Sequence, residues 1–71
     1  MTMIEVFKTN VQKAAQSRLM IKLLTAHFPT SKVNFDLDDC DKVLRVEGKD
    51  LCAQRIIELL KLNGHYCEIL D

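Results

Sequence analysis

Lys32-Val-Asn-Phe-Asp-Leu37, Asp38-Asp-Cys-Asp41 and Lys42-Val-Leu-Arg-Val-Glu47-Gly48 form the stretch that decides the fold. Val33, Phe35 and Leu37 alternate with Lys32, Asn34 and Asp36, which is the two-residue period of a half-buried strand. Leu44 and Val46 repeat the pattern in a second strand, predicted over Lys42 to Glu47. The short acidic side chains between them bond their own backbone and tolerate turn geometry. Two alternating runs across such a turn predict a hairpin, which Gly48 closes.

Working outward, the residues from about Gln12 to His27 are good helix formers. Ala15, Leu19 or Met20, Leu23 and Leu24 recur at helical spacing. Pro29 ends this helix, because it has no N–H and biases Phe28 away from helical geometry. Upstream, Met3 to Thr9 alternates as a strand, with Ile4 and Val6 opposite Glu5 and Phe7. Downstream, a second helix is expected from Asp50 as N-cap through Ile56, Ile57 and Leu60, and Asn63-Gly64 supplies a left-handed exit. Tyr66 to Leu70 reads as the last strand.

Strand, helix, strand, strand, helix, strand in 71 residues is most simply an α+β, ferredoxin-like βαββαβ domain. It has a four-stranded antiparallel sheet with both helices on one face. One end of such a domain gathers the loop at Thr9 to Gln12, the hairpin tip at Asp38 to Asp41 and the turn at Asn63 to His65. The whole length is a single domain, and at this size only about 60% of the unfolded surface can be buried. No linker, low-complexity stretch or solenoid period divides it, although the two strand-helix-strand halves echo one another.

Charge and composition exclude several function classes. Ten basic and ten acidic side chains cancel, leaving no global field to draw the chain onto nucleic acid or anionic lipid. No run of eighteen apolar residues predicts membrane insertion, and the first residues lack the pattern of a secretory leader. A cytoplasmic protein is expected. Three cysteines, Cys40, Cys52 and Cys67, without paired spacing argue for free thiols in a reducing compartment.

Phe7-Lys-Thr-Asn-Val11, Val33-Asn-Phe-Asp-Leu37, Asp41-Lys-Val-Leu-Arg-Val-Glu-Gly48, and Leu60 followed by Gly64 and Glu68-Ile-Leu70 resemble the heavy-metal-associated domain family. That family includes small copper chaperones and the N-terminal modules of metal-pumping ATPases. The likeness spans nearly the whole chain. It implies a soft-metal site where the first loop enters the first helix, with Cu(I) or Zn(II) held by the thiolates of a Cys-x-x-Cys pair. The same alignment sets Lys13 and Gln16 at those two positions. The first cysteine of this chain is Cys40, so the resemblance implies a degenerate member without the metal motif.

Other donors are weighed against blander roles. Lys13 either replaces the metal's charge at a docking surface or is a solvated lysine in the first helical turn. Its neighbours Asn10, Val11 and Gln12 complete a candidate interaction surface. Cys40 lies among carboxylates that oppose thiolate formation but attract cations. His65 follows Gly64 beside the old metal loop and is the best single candidate for a metal or contact residue, since imidazole binds Zn and Cu. Cys67 is expected to point inward with Ile69 as a small apolar residue, Cys52 lies at the far end, and His27 ends the first helix near the negative dipole pole.

Asp36, Asp38 and Glu47 mimic positions one, three and twelve of a calcium loop. Asp41 stands where that loop needs glycine, and the flanks are strands. The methionines form no cluster, and Ser17 and Ser31 have no triad partners, so no enzyme activity is expected. Leu19, Met20, Ile21, Leu23, Leu24, Ile56, Ile57, Leu59, Leu60 and Leu62 exceed one stripe per helix, which predicts either wide packing between helices or an exposed apolar patch.

The resulting expectation is a non-catalytic protein-interaction module without cofactor, its partner a protein. The alternative is a heavy-metal protein that binds Cu(I) or Zn(II) through His65 and Cys40, or across a homodimer.

Overall fold

The period-2 pattern of the hairpin becomes a sheet with one dry and one wet face. The computed structural model describes residues 2–70. In chain order they form β1 (Met3–Thr9), α1 (Ala14–His27), β2 (Lys32–Asp36), β3 (Val43–Gly48), α2 (Ala53–Leu62) and β4 (Cys67–Ile69). The strands make one sheet in the order β2-β3-β1-β4, and every pairing is antiparallel. This is the expected ferredoxin-like α+β arrangement.

One row of side chains shows why the sheet holds together. Phe35 lies opposite Leu44, Leu44 opposite Phe7, and Phe7 opposite Ile69, so four strands contribute to a single apolar line. Leu44 and Phe7, in its middle, are fully buried. Val46 fills the next position on the same face, opposite Val33. From above, α1 contributes Met20 and Leu24 and α2 contributes Ile56 and Leu60, while Val11, Leu51 and Cys67 close the core. Each such burial favours the fold by roughly 1.5–3 kcal/mol.

The surplus of apolar helix residues is largely absorbed. Leu23, Ile57 and Leu59 pack against the core from its margins. Leu19 and Leu62 remain outside, 62% and 83% exposed. No helix is long and apolar enough to cross a membrane among the described residues.

Several boundaries move, each for a physical reason. Helix α1 starts at Ala14 rather than Gln12, because Lys13 is extended (φ −105°, ψ 142°) and serves as N-cap. Helix α2 is capped by Cys52, not Asp50. Asp50 instead has φ 55°, a left-handed turn that acidic side chains tolerate. Lys42, expected in β3, also has a positive φ of 46° and belongs to the turn. β4 is shorter than expected because the N–H of Tyr66 is taken by a side chain, as described below. Ile69 shares the inward face with Cys67 but sits at the open edge and is half exposed.

The exit of α2 follows the expected glycine geometry. Gly64 has φ 83°. The His65 N–H donates to the Leu60 carbonyl at 2.9 Å and the Gly64 N–H to the Lys61 carbonyl at 3.0 Å, the paired bonds of a Schellman ending. Gly48 is small for a different reason: a Cβ there would lie 3.1 Å from Ser31 Cα and Cβ.

Two substitutions separate packing from backbone strain. Leu44→Ala is expected to cost about 2–5 kcal/mol in urea unfolding, from lost burial and the cavity left behind. Gly64→Ala has open space around the new methyl and should cost only about 1–2 kcal/mol, from the left-handed backbone. Equal costs would contradict this division.

Candidate functional site at the loop end

Three connections meet at one end of the sheet, and Thr9 joins two of them. Its N–H donates to the Asp41 carbonyl at 3.0 Å, and its hydroxyl donates to the Lys42 carbonyl at 2.6 Å. The same hydroxyl accepts the Val11 N–H at 3.2 Å. A buried hydroxyl with both roles filled incurs no desolvation penalty. The third connection joins through Asn10, whose Oδ1 accepts the Tyr66 N–H at 2.8 Å. The strand exit, the hairpin tip and the turn after α2 therefore form one hydrogen-bonded frame.

Val11 belongs to the core of that frame. It is fully buried, which removes it from the surface expected to run from Asn10 to Gln12. Its methyls enter the core while its N–H is satisfied by Thr9. Asn10 and Gln12 are exposed. Between them and α1, Gln16 folds back so that its Oε1 accepts the N–H of Lys13 at 3.3 Å and of Gln12 at 3.4 Å. This is one half of a capping box. The reciprocal half is missing because an ammonium has no acceptor to offer.

Lys13 and Gln16, the two positions set against a Cys-x-x-Cys pair, thus do other work. Gln16 ties down orphan helix N–H groups. Lys13 is exposed, and the first turn of α1 contains no acidic residue. Its charge adds to the positive pole of the helix dipole instead of opposing it. A cation placed at this loop meets two like-signed fields and no soft donor.

The hairpin tip is built as a turn. Asp39 Oδ1 accepts the Asp41 N–H at 2.8 Å, and its carbonyl accepts the Lys42 N–H at 3.0 Å. Lys42 Nζ donates to the Leu37 carbonyl at 2.8 Å, and Lys8 Nζ lies 3.8 Å from Asp41 Oδ1. Such an exposed ion pair contributes at most about 1 kcal/mol. Among the described residues, only Asp39, Cys40 and Asp41 bring three ligand-type atoms within 4.8 Å of one another. Their oxygens already serve the turn or pair with Lys8. His65 is not in the group.

His65 lines a neighbouring groove of about 390 Å3 between the end of α2 and β4, with Ile57, Lys61, Gly64, Tyr66 and Cys67. The groove contains a second potential ligand in Cys67, but burial and then the adjacent Glu68 charge push its thiol up to about 12. A neutral thiol is a poor metal ligand, and the Lys61 ammonium on the same wall disfavours a cation further. Hydrogen bonding to Glu68 is also the first cause that raises the Tyr66 phenol above its ordinary value. The three cysteines do not converge: Cys40 and Cys52 are exposed on separate elements and Cys67 is buried.

At the opposite end, Arg55 Nη2 approaches His27 Nδ1 at 3.5 Å, which links α2 to the end of α1. Comparisons of the chain with protein-family profiles, with curated proteins and with solved structures find no match.

Thiol chemistry tests this environment. Cys40 and Cys52 should react rapidly with a thiol reagent at pH 8, and Cys67 only after denaturation. Equal reactivity of all three thiols in the folded protein would contradict the buried assignment. Because the Cys67 thiol is raised from its ordinary value of 9.0, the fold retains a proton that the unfolded chain loses. Stability should be unaffected by this group below pH 9 and fall as pH rises toward about 12.

Proposed function

We propose that the chain is a non-catalytic protein-interaction module on a scaffold of the heavy-metal-associated type, with its metal site lost and the loop end kept as the contact surface. The observation that carries this proposal is the pairing of a fixed frame with exposed side chains. Thr9 and Asn10 lock the three connections together. Around them Gln12, Lys13 and Tyr66 project outward as exposed groups. A surface that is held rigid before binding loses little conformational entropy on contact. Tyr66 offers an aromatic anchor of the kind that interfaces favour, and Lys13 offers a charge that selects an acidic partner.

A non-catalytic role is supported by the chemistry of the candidate groups. Neither histidine has a nucleophile and an orienting acid within hydrogen-bond reach among the described residues. The metal-binding alternative through His65 and Cys40 has weaker support. Among the described residues His65 does not converge with Cys40 on one point, and the Lys61 ammonium lines the same groove as His65.

Native mass spectrometry of the reduced protein, with Cu(I) or Zn(II) under a competing chelator, should show the metal-free mass throughout. A stoichiometric metal adduct that disappears on substituting His65 and Cys40 would contradict the proposal. The contact surface is tested separately, with a photoreactive residue introduced at Gln12 or, as control, at Thr30 on the opposite end. Crosslinking to a discrete protein in the native cell is expected from Gln12 alone. Equal labelling from both ends would remove the loop end as the interface.

A further inference from the structure

The sheet has an edge at β2, away from the connections of the loop end. Among the described residues β2 is the outermost strand, paired only with β3. Its sequence is Lys32-Val-Asn-Phe-Asp36. Which of its backbone groups face outward follows from the ladder. The Leu70 N–H donates to the Val6 carbonyl, so the even-numbered residues of β1 point their backbone groups toward β4 and the odd-numbered ones toward β3. Glu5 therefore bonds Val46 and Phe7 bonds Leu44. The alternate β3 residues Val43, Arg45 and Glu47 are left to bond Asp36, Asn34 and Lys32. The N–H and C=O groups of Val33 and Phe35 consequently point away from the sheet at the free edge.

We infer that this edge binds a second copy of itself: two β2 strands pair antiparallel about a two-fold axis at Asn34 and join the two four-stranded sheets into one. In that register Val33 lies opposite the second copy's Phe35, and both residues have the outward backbone groups a hydrogen-bonded pair requires. Lys32 lies opposite the second copy's Asp36, and Asp36 opposite its Lys32. These fall at the non-hydrogen-bonded positions, where facing side chains come closest. Asn34 meets Asn34 on the axis. Backbone parity, apolar pairing on the helix side and charge pairing on the open side all select the same register.

Alternative registers lose these matches within β2; setting Phe35 opposite Phe35 moves the partner of Lys32 to Asp38, past the end of the strand at Asp36. A slip of one residue places apolar side chains against the wet face. A slip that sets Val33 opposite Val33 puts Lys32 opposite Asn34 and leaves Asp36 facing Thr30, so both ion pairs vanish. Charges on an edge strand often guard against pairing. Here Lys32 and Asp36 are both exposed and, among the described residues, neither forms an ion pair within its own chain. The zero net charge of the chain adds no long-range repulsion between copies. An isologous contact of this kind closes at two copies and leaves the two loop ends pointing in opposite directions.

Charge reversal gives the test. Sedimentation equilibrium of the wild-type protein up to millimolar concentration should show a metal-independent dimer that weakens as salt is added. Lys32→Asp and Asp36→Lys, each checked for an unchanged circular dichroism spectrum, place like charges across both symmetry-related pairs. Each should weaken self-association at least tenfold. Mixed together, the two variants regain opposite charges at both positions and should form a heterodimer with wild-type affinity. The double variant Lys32→Asp/Asp36→Lys should dimerise with itself. A wild-type monomer at millimolar concentration, a dimer indifferent to both single reversals, or a mixture that fails to associate would each overturn the proposal.

Discussion

The hydroxyl of Thr9 holds the end of β1 to the hairpin tip: it donates to Lys42 and accepts from Val11, while the same residue's N–H reaches Asp41. That contact crosses 33 positions of sequence and fixes where the chain leaves the sheet. From there Val11 drops into the core and Lys13 starts α1 at a defined place above it. Asn10, held next to Thr9, extends the same restraint to the turn after α2. Without this hub the loop end would comprise three separate connections, each exposing unpaired backbone groups. With it, the loop end is a surface supported entirely by protein donors and acceptors.

That support bears on the absence of a cysteine pair. In a metal carrier the loop gains order from the ion, and its thiolates balance the positive pole of the helix. In this chain Gln16 satisfies the N-terminal amides and Lys13 strengthens the positive field. The two residues make the loop self-sufficient and electrostatically unsuited to a cation. The proposed function accordingly calls for an acidic protein surface as partner, with the exposed Tyr66 and Gln12 beside the charge.

Local patterns made most of the fold legible in the sequence, since period-2 alternation in β2 and β3, Pro29 and Asn63-Gly64 each act within a few residues. Features set by distant contacts were less visible. Asp50 has the chemistry of an N-cap, yet the chain turns left-handed there and passes the cap to Cys52. Val11, expected with Asn10 and Gln12 at a contact surface, is core. A lone β-branched residue between Asn10 and Gln12 was the available signal that it is core. The role of Thr9 had no local signal at all, because its acceptor is the backbone of Lys42. The self-complementarity of Lys32-Val-Asn-Phe-Asp36 is written in the sequence, but it acquires meaning only once β2 is known to be an edge and Val33 and Phe35 to face outward.

The chain therefore presents two surfaces built by different means: an end framed by side-chain hydrogen bonds and an edge of unpaired backbone. The central claim is that the frame at the loop end forms without a metal. Amide hydrogen exchange by NMR on the metal-free, reduced protein tests it most directly, at the N–H groups of Thr9 and Val11. Both amides should be protected to nearly the level of the β1–β3 ladder and should not change on addition of Cu(I) or Zn(II). Fast exchange at these two amides in the metal-free protein, slowed only when the metal is added, would contradict the account.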